Sequence, residues 1–253
     1  MPSDSSGFSS FNKELAQYLP HLSVDCVVFG FHNSDLKLLL LKWKNASVWQ
    51  LPVGYIRNRE SVDAAAQRVL RSRTGLRSVH LSQFHAFGGL KRKESDFRRC
   101  FESQHVETPP DAWPTHRVVS IGYYALVDFL EVRPRPDGIS DAASWFPING
   151  RPRLAFDHDE IVQWALDMLR SSLDSPKAAA TLLPERFTMP ELHRLHEAVL
   201  DCRLDRRNFQ KRMLERDLVE RLPERRIGGA HRAPYLYRFK THRLDAGFHR
   251  RRA

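Results

Sequence analysis

Regular patterning begins with two apolar runs, Ser23–Phe31 and Leu36–Trp43, separated by His32-Asn33-Ser34-Asp35. Turn residues between runs rich in β-branched residues and Leu predict a β-hairpin. Ahead of it, Phe11–Leu19 is a short amphipathic stretch broken by Pro20. After it, Trp49–Val53 reads as a short extended piece containing Pro52, and Gly54 permits a sharp bend. From Ser61 to Arg73 the apolar residues Val62, Ala65, Ala66, Val69 and Leu70 recur at helical spacing. That predicts a helix with Ser61 as its N-cap and Gly75 just past its end. Val79–Phe87 and Arg117–Phe129 predict strands, and Trp145–Ile148 a shorter one. Between the first two, Gly88–His116 is polar, irregular and interrupted by Pro109-Pro110. A loop of that length points to function or mobility rather than scaffold. Asp159 is expected to cap a helix running to Leu173, with Ile161, Trp164, Ala165, Met168 and Leu169 on one face.

The pattern then changes. Ser171–Ala180 reads as a linker, and Thr188-Met189-Pro190-Glu191 as a capping box with Pro in the first turn. The helix it starts carries Leu192, Leu195, His196, Val199 and Leu200. Asp205 caps a second helix, Arg206–Arg216, which turns Phe209, Met213 and Leu214 inward. Its other face presents Asn208, Lys211, Arg212 and Glu215, with Arg207 beside them. Two extended pieces follow, Leu218–Leu222 and Tyr235–Lys240, joined by a basic loop from Arg225 to Arg232 that contains Gly228-Gly229. Helix, turn, helix and basic hairpin make a winged-helix pattern. The expected division is an N-terminal segment (1–21), a first domain (22–174), a linker (175–180), a second domain (181–243) and a basic tail (244–253).

Composition narrows the function classes. With 42% hydrophobic and 28% charged residues in 253, the chain can bury a core and is not disordered. No apolar run approaches the ~18–20 residues that span a bilayer, so no membrane partner is expected. Three cysteines (Cys26, Cys100 and Cys202), far apart, argue against a disulfide framework or zinc ribbon and for the reducing cytoplasm. Cys100 lies near Arg98 and Arg99, yet one thiol without a resolving partner carries no redox role. His193 and His196, three apart, lack a third ligand in register and read as structural. The net charge of +10 is uneven: residues 181–253 hold 18 Lys and Arg against 10 Asp and Glu, and residues 1–180 hold 22 against 20. A basic second unit favours a polyanion. Asn208 with Arg206, Arg207, Lys211 and Arg212 suits base edges and phosphates of duplex DNA. Arg232, in the wing, suits a backbone or minor groove.

Strand, bend, helix and the residues Gly54, Glu60, Arg68, Leu70, Gly75 and Leu76 resemble the Nudix box, G-x5-E-x7-R-E-U-x-E-E-x-G-U with U aliphatic. In active Nudix hydrolases the box glutamates hold magnesium against a pyrophosphate, as a hard cation requires. Here Val69, Ser72 and Arg73 stand where three of them belong. The resemblance therefore implies the fold without metal-dependent hydrolysis, with Glu60 and Arg68 kept to brace the loop. An Arg73 side chain is hostile to a divalent cation, so neither metal nor cofactor is expected.

The flanking segments VDCVVFGFH, LKLLLLK, WQLPVGYI, RVLRSRTGL and SIGYYALVDF resemble the sensor domain of NrtR-type transcriptional regulators. LLPERFTMPELHRLHEAVL, LDRRNFQKRML and GGAHRAPYLYRF resemble their DNA-binding half. The resemblance implies an α+β architecture, a Nudix-like α/β/α sandwich followed by a winged helix-turn-helix. It further implies a ligand-responsive regulator, most commonly a repressor, binding a palindromic operator as a homodimer. Family effectors include ADP-ribose for NAD metabolism and sugars such as arabinose for sugar use. The Gly88–His116 insertion tilts the expectation toward sugars, leaving a sugar, a sugar phosphate or an ADP-ribose-like molecule open. Lys42, Trp49 and Arg117 sit where they could line the effector pocket. Two alternatives stay open: a Nudix hydrolase with non-standard metal ligands acting on a nucleoside diphosphate derivative, and a nucleotide-binding adaptor whose winged helix contacts protein.

Overall fold

A computed structural model describes residues 15–77, 79–90, 98–99, 102, 116–130, 132–173, 176–226 and 233–240. Its centre is β1 (Tyr18–His32), which turns into β2 (Asp35–Trp43) through Asn33 and Ser34. Both turn residues have positive φ, 51° and 66°, the geometry that lets a two-residue turn match the twist of its strands. Around this hairpin stand β3 (Trp49–Gln50), β4 (Val53–Arg57), β5 (Leu81–Phe87), β6 (Val119–Leu126) and β7 (Ser140–Pro147). They form a seven-stranded sheet in the order β3-β2-β1-β6-β5, with β4 added to β1 and β7 to β2. The β1–β6 pair alone is parallel among these, running from Leu22 opposite Val119 to Phe29 opposite Leu126.

Helices cover both faces, which is why the central strands read as unbroken apolar runs rather than alternating ones. On one face Val24, Cys26 and Val28 of β1 meet Ala65, Ala66, Val69 and Leu70 of α1 (Val62–Thr74). On the other, Val27 and Phe29 meet Ile161, Ala165 and Leu169 of α2 (His158–Ser172). Helix α1 starts as its sequence dictates: the Ser61 hydroxyl accepts the Ala64 N–H at 3.2 Å, and Gly75 ends it at φ 76°.

Several local expectations need correction. Pro20 does not break the chain before the sheet; it lies inside β1, where the register with β4 shifts between Tyr18 and Ser23 and a missing N–H costs no ladder bond. Asp157, not Asp159, is the N-cap position of α2. The Asp159 carboxylate instead accepts the Leu154 N–H at 3.1 Å and pairs with Arg151, tying the helix to its own entry segment. Trp164 and Met168 do not share the buried face, which is Ile161, Val162, Ala165, Leu166 and Leu169. Trp164 is 44% exposed and stacks on His85 of the edge strand, centroids 4.3 Å apart. Finally, the expected linker carries a helix, α3 (Pro176–Leu182).

Helix α3 leads into β8 (Phe187–Thr188), α4 (Met189–Leu200), α5 (Arg206–Glu215), β9 (Val219–Arg225) and β10 (Tyr235–Phe239). The strands pair as β8-β10-β9, completing a winged helix. The capping box closes on both sides: Thr188 Oγ1 accepts the Glu191 N–H, and the Glu191 carboxylate accepts the Thr188 N–H at 2.7 Å. Phe209 and Met213 of α5 are buried as expected, but Leu214 is 42% exposed. The two units share one core. Leu36, Leu38 and Leu40 of β2 and the buried face of α2 are continuous with Ala179 and Leu182 of α3 and Leu192, Leu195 and Val199 of α4. Among the described residues, no helix is long and apolar enough to cross a membrane.

Candidate functional site

Each box residue has a definite environment. Gly54 lies on β4 directly beneath α1, where a Cβ would come within 2.7 Å of Val69 Cγ2. Only hydrogen fits there. Arg68 donates from Nε to Glu60 Oε2 at 2.9 Å, from Nη2 to Glu60 Oε1, and from Nη2 to the Tyr55 carbonyl at 2.8 Å. Glu60 Oε1 also accepts the Arg57 N–H at 2.7 Å, so the pair staples the loop before α1 onto the helix. The Arg68 guanidinium holds the Glu60 carboxyl below the usual carboxylate range, and Glu60 in turn pushes Arg68 up.

The three substituted positions do not fit a divalent cation. Val69 is in the core between α1 and the sheet. Ser72 donates its hydroxyl to the Val69 carbonyl at 3.1 Å, within its own helix. Arg73 is 6% exposed and donates from Nη1 to Asp137 Oδ2 at 2.5 Å. A hard cation needs several free oxygen ligands, and this face offers an aliphatic side chain, a satisfied hydroxyl, a guanidinium and a glutamate already engaged by Arg68. Among the described residues, no three His, Cys, Asp or Glu side chains gather as a metal cluster elsewhere.

Of the expected effector residues, two come together. Lys42 and Trp49 are direct partners across the β2–β3 pair, and the Trp49 ring meets Phe146 of β7 edge-on at 4.7 Å. The Trp49 carbonyl accepts the Ala155 N–H at 2.9 Å, linking this corner to the start of α2. Arg117 is not with them. It precedes β6, on the opposite side of β1, where its guanidinium donates to the Gly88 carbonyl at 2.6 Å.

Two polar pairs join distant parts of the chain, and the first is fully buried. His158 and Asp25, each 0% exposed, face one another with Nε2 to Oδ1 at 3.6 Å. Because His158 Nδ1 accepts the Leu51 N–H at 3.1 Å, Nε2 is the nitrogen that carries the proton. Asp63 accepts the Tyr123 hydroxyl at 2.5 Å; burial first, then this carboxylate, pushes the phenol well up. Neither pair has a local signal, since each joins residues at least 60 positions apart.

On the winged helix, Arg206, Arg207, Asn208, Lys211 and Arg212 are all exposed on α5. Lys211 lies 3.7 Å from Glu215 one turn on, and the Arg212 guanidinium sits over Phe209 at 5.8 Å. Arg232, Cys100 and the tail at 244–253 lie outside the described residues. At the base of the wing, Tyr235 holds two guanidinium groups against its ring, Arg225 at 4.0 Å and Arg221 at 4.6 Å from the centroid. Cross-strand pairing, not sequence spacing, brings Tyr235 and Arg221 together. His193 and His196 are structural as expected: both pack on Phe209, and each has a ring nitrogen at 2.9 Å from a carbonyl, Leu204 and Leu192. Between α4, α5 and the β1–β2 turn at Ser34 lies a cleft of about 680 Å³ bordered by Arg194, Arg203 and Arg206.

Comparison with known proteins reproduces this two-part layout. A NUDIX domain matches residues 19–165, and an NrtR DNA-binding winged helix domain matches residues 179–239. The ADPR responsive transcriptional repressor NtrR of Acinetobacter baylyi is 29% identical over 256 residues, 96% of this chain and 94% of its own length. The ADP-ribose pyrophosphatase of Methanocaldococcus jannaschii is 28% identical over 154 residues, 60% of this chain and 78% of its own. The crystal structure of Shewanella oneidensis NrtR complexed with a 27mer DNA shares the fold, with a TM-score of 0.66 at 24% identity over 88% of this chain and 95% of that one. The chain therefore belongs to the NUDIX family, in the NrtR-type arrangement that places an NrtR DNA-binding winged helix domain after the NUDIX domain.

Proposed function

We propose that this protein is an ADP-ribose-responsive transcriptional repressor in which the NUDIX unit senses and does not hydrolyse. The observation that carries the reading is the box itself: Val69 is core, Ser72 is satisfied and Arg73 is locked to Asp137, beside a second unit that exposes a basic helix. The likeness to an ADPR responsive repressor along nearly the whole chain favours ADP-ribose over the sugars that the Gly88–His116 insertion suggested. In this reading α5 enters the major groove. Asn208 and Arg207 meet base edges, and Arg206, Lys211 and Arg212 meet phosphates. A homodimer would present two such helices to the halves of a palindrome, in the cytoplasm where DNA and effector meet.

The test uses the full chain and a duplex enriched by it from a random-sequence pool. ADP-ribose should weaken binding to that duplex with or without magnesium, and AMP should not accumulate. AMP appearing with magnesium would make the protein a hydrolase. Enrichment of no duplex would leave the winged helix as a protein-contact module.

A further inference from the structure

We infer that Asn149 and Arg170 are positioning residues that carry the state of the sensor to the recognition helix; the inference rests on the effector-responsive reading just given. A short turn joins α4 to α5. That turn is rigid from within. Asp201 ends α4 in the left-handed region at φ 53°, and the Cys202 N–H returns to the Glu197 carbonyl at 3.3 Å. The Glu197 carboxylate accepts the Leu204 N–H at 3.0 Å, while the His193 ring lies 2.9 Å from the Leu204 carbonyl. Asp205 then caps α5 through the Asn208 N–H at 2.8 Å. With Phe209 wedged against His193 and His196, α5 moves only when α4 moves.

What fixes α4 is therefore what fixes α5. Its apolar face is continuous with β2 and α2, but apolar contact is non-directional and leaves rotation and sliding open. Directional contacts close that freedom, and those from Arg170 and Asn149 grip the end of α4 nearest the turn. Arg170, on the last turn of α2, donates Nε to the Val199 carbonyl at 3.0 Å. Carbonyls in the last turn of a helix lack intrahelical donors, so this one is open to an outside partner. Asn149, in the short 3-10 turn Ile148–Gly150 after β7, donates Nδ2 to Asp201 Oδ1 at 3.1 Å. An ionised carboxylate only accepts, so the amide nitrogen must be the group that faces it.

Both donors sit on elements that leave the Lys42–Trp49 corner. Asn149 follows Phe146, whose ring meets Trp49, by three residues along the chain. Arg170 ends the helix whose entry segment is bonded to the Trp49 carbonyl through Ala155. A ligand that shifts β7 or α2 there changes the angle at which Asn149 and Arg170 hold α4. A packed contact with two directional anchors switches between arrangements rather than deforming smoothly.

The test compares the full-length protein with Asn149→Asp, with the reciprocal swap Asn149→Asp plus Asp201→Asn, and with Arg170→Lys. Asn149→Asp sets carboxylate against carboxylate at nearly constant volume. The swap restores the hydrogen bond with donor and acceptor exchanged, and Asn is at ease in the left-handed region. Arg170→Lys keeps the charge beside Asp167 and loses the Nε donor. Measured are ADP-ribose affinity, affinity for the enriched duplex with and without saturating ADP-ribose, and melting temperature. The expected result is an ADP-ribose-dependent change in duplex affinity that shrinks about five-fold or more in Asn149→Asp and Arg170→Lys and returns in the swap. ADP-ribose affinity should stay within about two-fold, since neither residue lies at the Lys42–Trp49 corner itself. A purely structural role would lower the melting temperature while leaving the ratio at its wild-type value, and that unchanged ratio overturns the inference. Wild-type protein whose duplex affinity ignores ADP-ribose would instead overturn the sensor reading, and this coupling with it.

Discussion

Arg73 lies against Asp137, guanidinium to carboxylate at 2.5 Å, at a helix position where an active relative of this fold would hold a metal-binding glutamate. The pair also anchors the segment that returns toward β7: the Arg135 N–H bonds the Thr74 carbonyl at 2.9 Å, and Asp137 Oδ1 accepts the Ile139 N–H at 3.3 Å. The end of α1 is thus tied to this segment through both Arg73 and Thr74. Replacing Arg73 by Glu does not return a metal site, because Val69 and Ser72 still lack carboxylates and the new one faces Asp137. Arg73→Glu is expected to lose about 3 kcal/mol of stability in urea denaturation, in line with breaking a buried pair. Isothermal titration with magnesium should show no binding in either form; magnesium binding by the variant would contradict the structural account.

The Glu60–Arg68 pair gives a signature in pH. The Glu60 pKa is lowered in the folded protein, first by its hydrogen bond from Arg68. A carboxyl lowered on folding stabilises the native state above its unfolded value, about 4.3, and that contribution is lost as pH falls through the folded pKa. The stability gap between wild type and Glu60→Gln should therefore be constant above about pH 5 and narrow below about pH 4. A gap that widens in acid would mean that Glu60 is not held by Arg68 in solution.

Gly54 and Val69 predict a compensating pair. Gly54→Ala places a Cβ 2.7 Å from Val69 Cγ2, so overpacking should cost about 1–3 kcal/mol. Val69→Ala removes the opposing methyls and leaves a cavity of its own. The double variant should be more stable than the sum of the single losses, by about 1 kcal/mol in a thermodynamic cycle. Strict additivity would show that α1 does not rest on β4 at this point.

Much of this architecture is written locally, and some of it is not. Helix α1 was legible between Ser61 and Gly75 because both caps are chemical devices that act within four residues, and the Thr188–Glu191 box is of the same kind. The Ser171–Ala180 stretch misleads because Pro176 looks like a breaker, whereas it opens α3, a place where a missing N–H costs nothing. Trp164 misleads differently: hydropathy assigns it to the core, while the His85 ring that receives it comes from a strand about 80 residues earlier. The grouping of Lys42, Trp49 and Arg117 is half legible for the same reason. Lys42 and Trp49 are neighbours through a short turn, but whether Arg117 joins them depends on strand order, which no local pattern specifies.

The exposed α5 residues separate into two kinds of contact, and salt distinguishes them. Lys211, near Glu215 and flexible, should act as a point charge on a phosphate. Lys211→Ala should weaken all duplexes alike and reduce the slope of log affinity against log salt by about 1. Asn208 carries no charge and suits an adenine edge, so Asn208→Ala should leave the salt slope unchanged and cost about 1–3 kcal/mol on the enriched duplex alone. The Tyr235 platform gives a third outcome. Tyr235→Leu keeps Arg221 and Arg225 but removes the ring that orders them, so binding should weaken with little change in the salt slope. If instead Asn208→Ala lowered affinity equally for every sequence, α5 would be lying along the backbone rather than in the groove.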